Sequence, residues 1–254
     1  GNYYLTANVT INNTWSPKDG TVLCLNGKTI TKNNSDSYNN SHAISIGASV
    51  TFTLTDCQSA AGTITHGDES YKGCGVELCG SAAVFNMYGG AISGNTNAYY
   101  GGGVEIESGI FNMYGGTISN NTANYGGGVY VNKNQEFNMY GGTISRNTAS
   151  HNGGGGVYVS ISTFNMYGGT ISSNNATNTS TTANVGCGGG VYISGDSGSA
   201  VVNMTGGTIS GNTATVAYGG GGVYVEDGGT FTLCNAAEIS DNTAGGLSAD
   251  SDVA

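Results

Sequence analysis

FNMYGGTISNNTANYGGGVYV, residues 111–131, is the stretch that decides the fold, because near-copies of it recur along most of the chain. The copies open at Phe85, Phe111, Phe137, Phe164, Val202 and, in decayed form, Phe231. Their spacings are 26, 26, 27, 38 and 29 residues. A period in this range indicates stacked supersecondary units, each too small to bury its own apolar face.

Each copy contains three short apolar–polar alternations, Val-Tyr-Val, Phe-Asn-Met-Tyr and Thr-Ile-Ser, separated by Gly or Asn-Thr turns. Such alternation predicts strands with one buried face. About 26 residues are too few for a four-stranded propeller blade. The repeat therefore predicts an all-β parallel β-helix, a solenoid with three strands per coil and about seven to eight coils. The crossover preference of parallel strands favours a right-handed coil.

We expect a single domain over residues 1–254. Residues 1–20 are predicted to be an amino-terminal cap, because repeat arrays need atypical ends, and residues 21–245 are predicted to be coils. The Thr- and Asn-rich insertion from Asn175 to Val185 accounts for the 38-residue spacing and predicts a protruding loop. Residues 246–254 are expected to be a truncated or disordered tail, since the repeat stops where a further coil would begin.

Composition restricts the partners. The chain has 6 basic and 16 acidic residues, for a net charge of −10. An acidic surface without a basic stripe argues against nucleic acid and anionic lipid as partners. No apolar run approaches the length of a membrane span, so no membrane insertion is expected. A surface rich in Asn, Ser, Thr, Gly and Tyr is typical of secreted proteins, and we expect an extracellular location and a monomer.

The pairing of Gly-Gly-Gly-Val with Ile-Ser-x-Asn resembles the paired motifs of the polymorphic outer-membrane protein repeats, Gly-Gly-Ala-Ile and Phe-x-x-Asn. More widely, residues 3–245 are similar to right-handed β-helix repeats of bacterial cell-surface adhesins. Isoleucine stands where the family motif has phenylalanine, at Ile92, Ile118, Ile144, Ile171, Ile209 and Ile239. The resemblance implies a bacterial surface protein that binds a glycan or a host-surface protein. It specifies fold far better than ligand.

Candidate binding residues lie at outward positions that repeat from coil to coil. One group comprises four tyrosines with asparagines two residues away, and its members are Tyr88, Tyr114, Tyr140, Tyr167, Asn112, Asn138 and Asn165, with Asn86 in the first copy. Exposed aromatic rings beside amides suit sugar rings and their hydroxyls. The alternative is that stacked tyrosines only stabilise a solvent-facing sheet. A second column, Tyr130, Tyr158, Tyr192 and Tyr224, follows the same logic.

Other recurring residues are interpreted structurally. The motif asparagine, at Asn95, Asn121, Asn147, Asn174, Asn212 and Asn242, predicts an inward amide ladder. Glu77 and Glu105 replace tyrosine in adjacent coils and are read as solvated acids, with a shared cation or a hydrolase pair as alternatives. The Thr-x-Ser array resembles that of ice-binding β-helices only weakly. Cys24 and Cys57 are the one plausible disulfide, and the remaining thiols are expected to be free.

Catalysis is not expected. The basic residues Lys18, Lys28, Lys32, Lys72, Lys133 and Arg146 are scattered. His42, His66 and His151 fall in three different turns, so no Cys-His or Ser-His-Asp grouping is predicted. We therefore expect no catalytic residue, no metal and no cofactor, and a non-catalytic adhesin or binding segment. The alternatives are a polysaccharide lyase or glycoside hydrolase on the same fold, and a passive stalk.

Overall fold

The computed structural model describes residues 1–33, 41–67, 73–178, 186–195, 200–216, 219–234 and 236–245. Within these residues the chain forms 28 β-strands and no helix. The pairs between neighbouring coils are parallel, so the predicted parallel β-helix is confirmed. The tail 246–254, Lys72 and residues 179–185 of the predicted loop lie outside the described residues.

The first sheet contains fourteen described strands and carries the Val-Tyr-Val and Phe-Asn-Met segments of each coil. Its strands are β1 (Asn2–Tyr4), β3 (Thr21–Cys24), β5 (Ile44–Ile46), β6 (Thr51–Thr55), β8 (Val76–Met87), β10 (Val104–Met113), β13 (Val129–Val131), β14 (Glu136–Met139), β17 (Val157–Ser160), β18 (Thr163–Met166), β21 (Val191–Ser194), β22 (Val201–Met204), β25 (Val223–Val225) and β26 (Thr230–Leu233). In β8 and β10 the two segments are continuous, with register shifts between them.

The second sheet stacks the Thr-Ile-Ser segments, nine strands in the described part of the chain. They are β2 (Val9–Ile11), β4 (Thr29–Lys32), β7 (Thr63–His66), β9 (Ala91–Ser93), β11 (Thr117–Ser119), β15 (Thr143–Ser145), β19 (Thr170–Ser172), β23 (Gly207–Ser210) and β27 (Ala237–Ser240). The predicted cap supplies β1 and β2, which pair with β3 and β4 as further coils do.

A third sheet consists of short strands at the Asn-Thr-Ala segment. They are β12 (Thr122–Tyr125), β16 (Thr148–Gly153), β20 (Asn175–Ala176), β24 (Thr213–Ala214) and β28 (Thr243–Ala244). The sequence predicted turns here, and that prediction was wrong. Three of these strands, β20, β24 and β28, are only two residues long, which is too short to show an alternation, and they are defined by pairing between coils.

The core is a set of columns in which each residue type stacks on itself. Phe52, Phe85, Phe111, Phe137 and Phe164 are fully buried and stack with ring centroids 4.7–5.7 Å apart. Methionine and isoleucine form parallel columns beside them. Such like-on-like contacts follow directly from parallel, in-register pairing, in which equivalent residues are nearest neighbours.

The predicted asparagine ladder is confirmed at one corner of every repeat coil from Asn95 to Asn242. The Nδ2 of Asn121 donates to Oδ1 of Asn147 at 3.0 Å and to the carbonyl of Ile92 at 3.0 Å. Its backbone N–H donates to the same Oδ1 at 3.0 Å. Because the six side chains are buried, these bonds satisfy groups that would otherwise be costly to remove from water.

Glycine runs allow the coils to approach each other closely. A Cβ added at Gly155 would lie 2.5 Å from the carbonyl oxygen of Gly189 and 2.6 Å from the amide nitrogen of Asn175. Only glycine fits at such a distance from backbone atoms.

The disulfide between Cys24 and Cys57, with Cα atoms 6.4 Å apart, joins the first coils and confirms the predicted bridge.

Candidate functional site

The first tyrosine column lies on the outside of the first sheet, where the Phe-Asn-Met strands end. Tyr88, Tyr114, Tyr140 and Tyr167 are 54%, 40%, 44% and 48% exposed, as the sequence predicted. Each follows a buried methionine, and a Gly-Gly pair comes next in the chain. The connection to the second sheet is therefore too short to cover the rings, and the column faces solvent.

The rings of this column stack face to face. Their centroids are 4.5, 4.8 and 4.9 Å apart, with interplanar angles of 9°, 6° and 12°. The faces of the two inner rings, Tyr114 and Tyr140, are therefore taken by their neighbours. The column presents ring edges and a row of hydroxyls, and only the outer faces of Tyr88 and Tyr167 are not stacked on another tyrosine of the column.

The asparagines two residues earlier form a second, outer amide ladder. Nδ2 of Asn112 donates to Oδ1 of Asn86 at 3.0 Å, Asn138 to Asn112 at 3.1 Å, and Asn165 to Asn138 at 2.9 Å. The ladder ends on Asn203, which donates to Asn165 at 3.0 Å. The structure thus brings the predicted amides together, but part of their bonding capacity is used within the ladder. The prediction that Asn138 faces solvent was wrong, because its side chain is buried and also donates to Glu136 Oε1 at 2.8 Å.

The second tyrosine column is covered, and the prediction that it faces outward as a binding surface was wrong. Tyr130, Tyr158 and Tyr192 are buried, and Tyr224 is half-buried. The covering segments, which run from a ladder asparagine to the next glycine run, fold back over them wherever the structure describes these segments. Tyr125 lies edge-on to Tyr158 at 5.4 Å, and the described ranges also place Cys187 and Val216 against this column. These residues form a small second core outside the solenoid.

Glu77 and Glu105 continue this column toward the amino terminus. They pair in register, and Glu105 pairs in turn with Tyr130. Glu105 is buried and Glu77 nearly so, which overturns their interpretation as solvated acids. Burial, aided by repulsion from Glu107 and Glu77, raises the pKa of Glu105 to about 8, against a hydrogen bond from Asn97. The covering segment accounts for the burial, since Asn97 and Tyr100 belong to it.

His42 and Cys74 meet beneath the same cover, a grouping that the sequence interpretation missed. Nδ1 of His42 lies 2.8 Å from Sγ of Cys74, and Nε2 lies 3.4 Å from Oε1 of Glu77. A signal was present, because His42 and Cys74 each stand two residues before a strand residue, and those residues, Ile44 and Val76, pair in register. Equal offsets from paired residues place two side chains side by side in a parallel sheet.

The titration behaviour of this cluster follows from its burial. Burial is the main cause that lowers the pKa of His42, partly offset by Glu77, so the imidazole is neutral near pH 7. Burial, with the nearby carboxylates Glu105 and Glu77, raises the pKa of the Cys74 thiol well above its usual range. A fully buried, protonated thiol is a poor nucleophile. The Cys-His-Glu arrangement therefore does not resemble an activated catalytic triad.

No protein-family model matches the chain, and no curated protein or solved structure shows significant similarity to it. In the residues that the structure describes there is no helix with the length and apolar character needed to span a membrane.

Proposed function

We propose that this chain is a non-catalytic binding segment of a bacterial cell-surface protein and that its ligand is a glycan or a host-surface protein. The observation that carries the proposal is the exposed column of Tyr88, Tyr114, Tyr140 and Tyr167 on a continuous parallel sheet. Single exposed aromatics are ordinary, whereas an aligned exposed set is typical of contact surfaces. The motif resemblance to surface adhesin repeats supports the extracellular, bacterial setting.

The stacking determines how this surface would contact a ligand. The inner rings offer hydroxyls and edges, so Tyr114 and Tyr140 are suited to hydrogen bonds with hydroxyl or backbone groups. The outer faces of Tyr88 and Tyr167 are suited to the C–H groups of a sugar ring. At the two ends of the column the equivalent position on the next coil is a threonine and not a tyrosine. Thr55 stands opposite Tyr88 and Thr205 opposite Tyr167, because Leu54 pairs with Met87 and Met166 with Met204.

The proposal is tested by an array of glycans and host-surface proteins probed with the purified chain. Tyr88→Ala and Tyr167→Ala should weaken glycan binding through lost ring contact, whereas Tyr114→Phe and Tyr140→Phe should weaken it through lost hydroxyls. Tyr99→Ala is the matched control, because Tyr99 is 53% exposed and lies on a covering segment away from the column. Binding that survives all four column variants while Tyr99→Ala removes it would place the surface elsewhere.

Two alternatives have distinct outcomes in the same preparation. A passive stalk would bind nothing on the array, and the mutual stacking of the tyrosines is the observation that favours it, since like-on-like columns also stabilise a sheet. A carbohydrate-active enzyme would release reducing ends or unsaturated products from pectins, glucans or host glycans. Loss of that release in Glu77→Gln or Glu105→Gln would establish catalysis and overturn the non-catalytic proposal.

A further inference from the structure

Three buried side chains of different chemistry converge at the amino-terminal end of the covered column. One atom each of His42, Cys74 and Glu105, a ring nitrogen, a thiol sulfur and a carboxylate oxygen, lie within 4.8 Å of one another. Tetrahedral coordination by sulfur, nitrogen and oxygen at the usual Zn²⁺ bond lengths places ligand atoms about 3.3–3.6 Å apart. The distances between these three atoms lie between 2.8 Å, from Nδ1 to Sγ, and 4.8 Å. Side-chain shifts of about 1 Å would therefore bring the three atoms to the spacing of Zn²⁺ ligands.

Two carboxylates on neighbouring strands meet at the cluster. Glu77 and Glu105 pair in register, Glu105 is buried, and the side chain of Glu77 is 14% exposed. Across the described ranges no lysine or arginine forms an ion pair with these carboxylates, and the ion pair recorded for them is that of His42 with Glu77. Buried carboxylates are normally paired with cations or bound to metal ions. A divalent cation at this point would provide such a partner.

The surroundings of His42 prepare Nδ1 as a ligand. The backbone N–H of Cys74 donates to Nδ1 at 3.2 Å, so the ring proton lies on Nε2 and the lone pair of Nδ1 faces Cys74. A metal ion bound at Nδ1 would take that lone pair in place of this hydrogen bond. Nε2 faces Oε1 of Glu77 at 3.4 Å, and the other oxygen of Glu77 accepts a bond from Ser45 Oγ at 2.6 Å. A carboxylate behind the far nitrogen is the usual support for a metal-binding histidine.

We propose that His42, Cys74 and Glu105 form a binding site for a single Zn²⁺ ion, with Glu77 as the positioning residue behind His42. Thiolate, imidazole and carboxylate together suit Zn²⁺ better than Ca²⁺ or Mg²⁺, which take oxygen ligands. Binding near pH 7 releases to solvent the thiol proton of Cys74 and the carboxyl proton that Glu105 holds there. The site is distinct from the exposed tyrosine column, and this proposal departs from the expectation from sequence that the chain holds no metal.

The test is titration of the chelator-treated full chain with Zn²⁺ by calorimetry and with Co²⁺ by absorption spectroscopy. We expect one ion per chain, a thiolate-to-cobalt charge-transfer band and an unfolding temperature raised by excess Zn²⁺. Cys74→Ser should abolish the band. Glu77→Gln should weaken Zn²⁺ binding about 10- to 100-fold, as loss of an outer carboxylate usually does, and Glu105→Gln should weaken it further.

Two variants of matched chemistry serve as controls. Cys234→Ser and His151→Ala replace an exposed thiol and an exposed imidazole away from the cluster and should bind Co²⁺ as the unmodified chain does. The proposal is overturned if the unmodified chain shows no stoichiometric binding, which needs no variant to fold. It is also overturned if a folded Cys74→Ser keeps the charge-transfer band, or if Cys234→Ser loses it.

Discussion

Two columns of stacked tyrosines run along this solenoid, and they differ in what lies over them. The exposed column pairs Tyr140 with Tyr167 at 4.9 Å, and the covered column pairs Tyr158 with Tyr192 at 4.7 Å. Ring separation and alignment are nearly equal. Yet Tyr140 is 44% exposed and Tyr158 is 6% exposed. The strand pattern alone therefore does not decide whether an outward side chain meets water.

The length of the adjoining connection accounts for the difference, because the one that follows Tyr140 is short and the one that precedes Tyr158 is long. Beyond Tyr140 only Gly141 and Gly142 separate the first sheet from the second, so no chain is left to fold over the ring. By contrast, residues 148–156 connect Asn147 with the next Val-Tyr-Val strand. That is enough chain to form β16 and return across the outer face. In this solenoid, an outward side chain such as Tyr158 is therefore buried where the adjoining connection is long enough to fold over it.

The largest effect is expected from Tyr158→Ala. The substitution removes a ring that stacks on Tyr130 and Tyr192 and meets Tyr125 edge-on. Truncation of a buried aromatic costs about 3–5 kcal/mol of unfolding free energy. Urea unfolding followed by circular dichroism measures it. A cost equal to that of Tyr140→Ala would show that the covering segments do not pack on the column in solution.

A smaller loss is expected from Gly155→Ala, which forces neighbouring coils apart beside the covered column. The new methyl group would meet the backbone of Gly189 and Asn175 at 2.5–2.7 Å. Overpacking of this kind costs about 1–3 kcal/mol. Gly47→Ala is the control, because nothing lies within 4 Å of its Cβ position, and its unfolding free energy should stay within about 0.5 kcal/mol of the original. Equal unfolding midpoints for the two variants would contradict the close approach.

Alkaline pH should destabilise the fold through the covered column. Burial, with smaller contributions from Tyr100, Glu105 and Tyr125 and against a hydrogen bond from Ser160, raises the pKa of Tyr130 to about 12. Between about pH 10 and 12 the folded chain therefore holds a proton that the unfolded chain has lost, and stability falls as pH rises. Each such group contributes up to about 1.4 kcal/mol per pH unit.

Tyr130→Phe isolates that contribution. The slope of unfolding free energy against pH over this window should become shallower by up to about 1.4 kcal/mol per unit, while the remaining covered tyrosines keep part of the slope. The slope is measured by urea titrations at several pH values. An unchanged slope would mean that Tyr130 has the same pKa in the folded and the unfolded chain, and therefore that water reaches its hydroxyl through the covering segments.

The smallest effect is expected from Tyr140→Ala in the exposed column. The ring loses two stacking partners, Tyr114 and Tyr167, but no buried cavity opens because the position already faces solvent. Each aromatic pair contributes about 0.5–1.5 kcal/mol beyond area burial, and two pairs at the lower end of that range give an expected loss of about 1 kcal/mol in unfolding free energy. A loss above about 3 kcal/mol would show that this column is as important to folding as the covered one.

The fold was predictable because parallel pairing turns a sequence repeat into a spatial one. The alternation around Phe137 and Met139 identified the buried face, and the recurrence of Asn147 identified the corner ladder, both confirmed in the structure. The third sheet was missed, because strands such as β20 are two residues long and carry no periodic signal. The handedness of the coil stays a prediction.

The candidate sites were predictable only in part. Exposure of Tyr114 and Tyr140 followed correctly from alternation. Burial of Tyr158 and Glu105 did not, because it depends on where a connection folds after it leaves the sheet. The contact of His42 with Cys74 lay within reach of sequence reasoning, as a shared offset from paired strand residues. An alternation pattern compares residues two apart in one strand, whereas this contact becomes visible only when equivalent positions of two coils are compared.

In-register pairing also has a consequence for how such a chain can change over evolutionary time. Phe111 pairs with Phe137 and Ile110 with Glu136, so residues 111–136 form one closed turn of the solenoid. Excision of that segment would join Ile110 to Phe137, a residue that already holds the position equivalent to Phe111. Stability in such arrays is close to a sum over neighbouring units. Whole turns can therefore be gained or lost by recombination between repeats, so the reach of the rod is adjustable without redesign of its core.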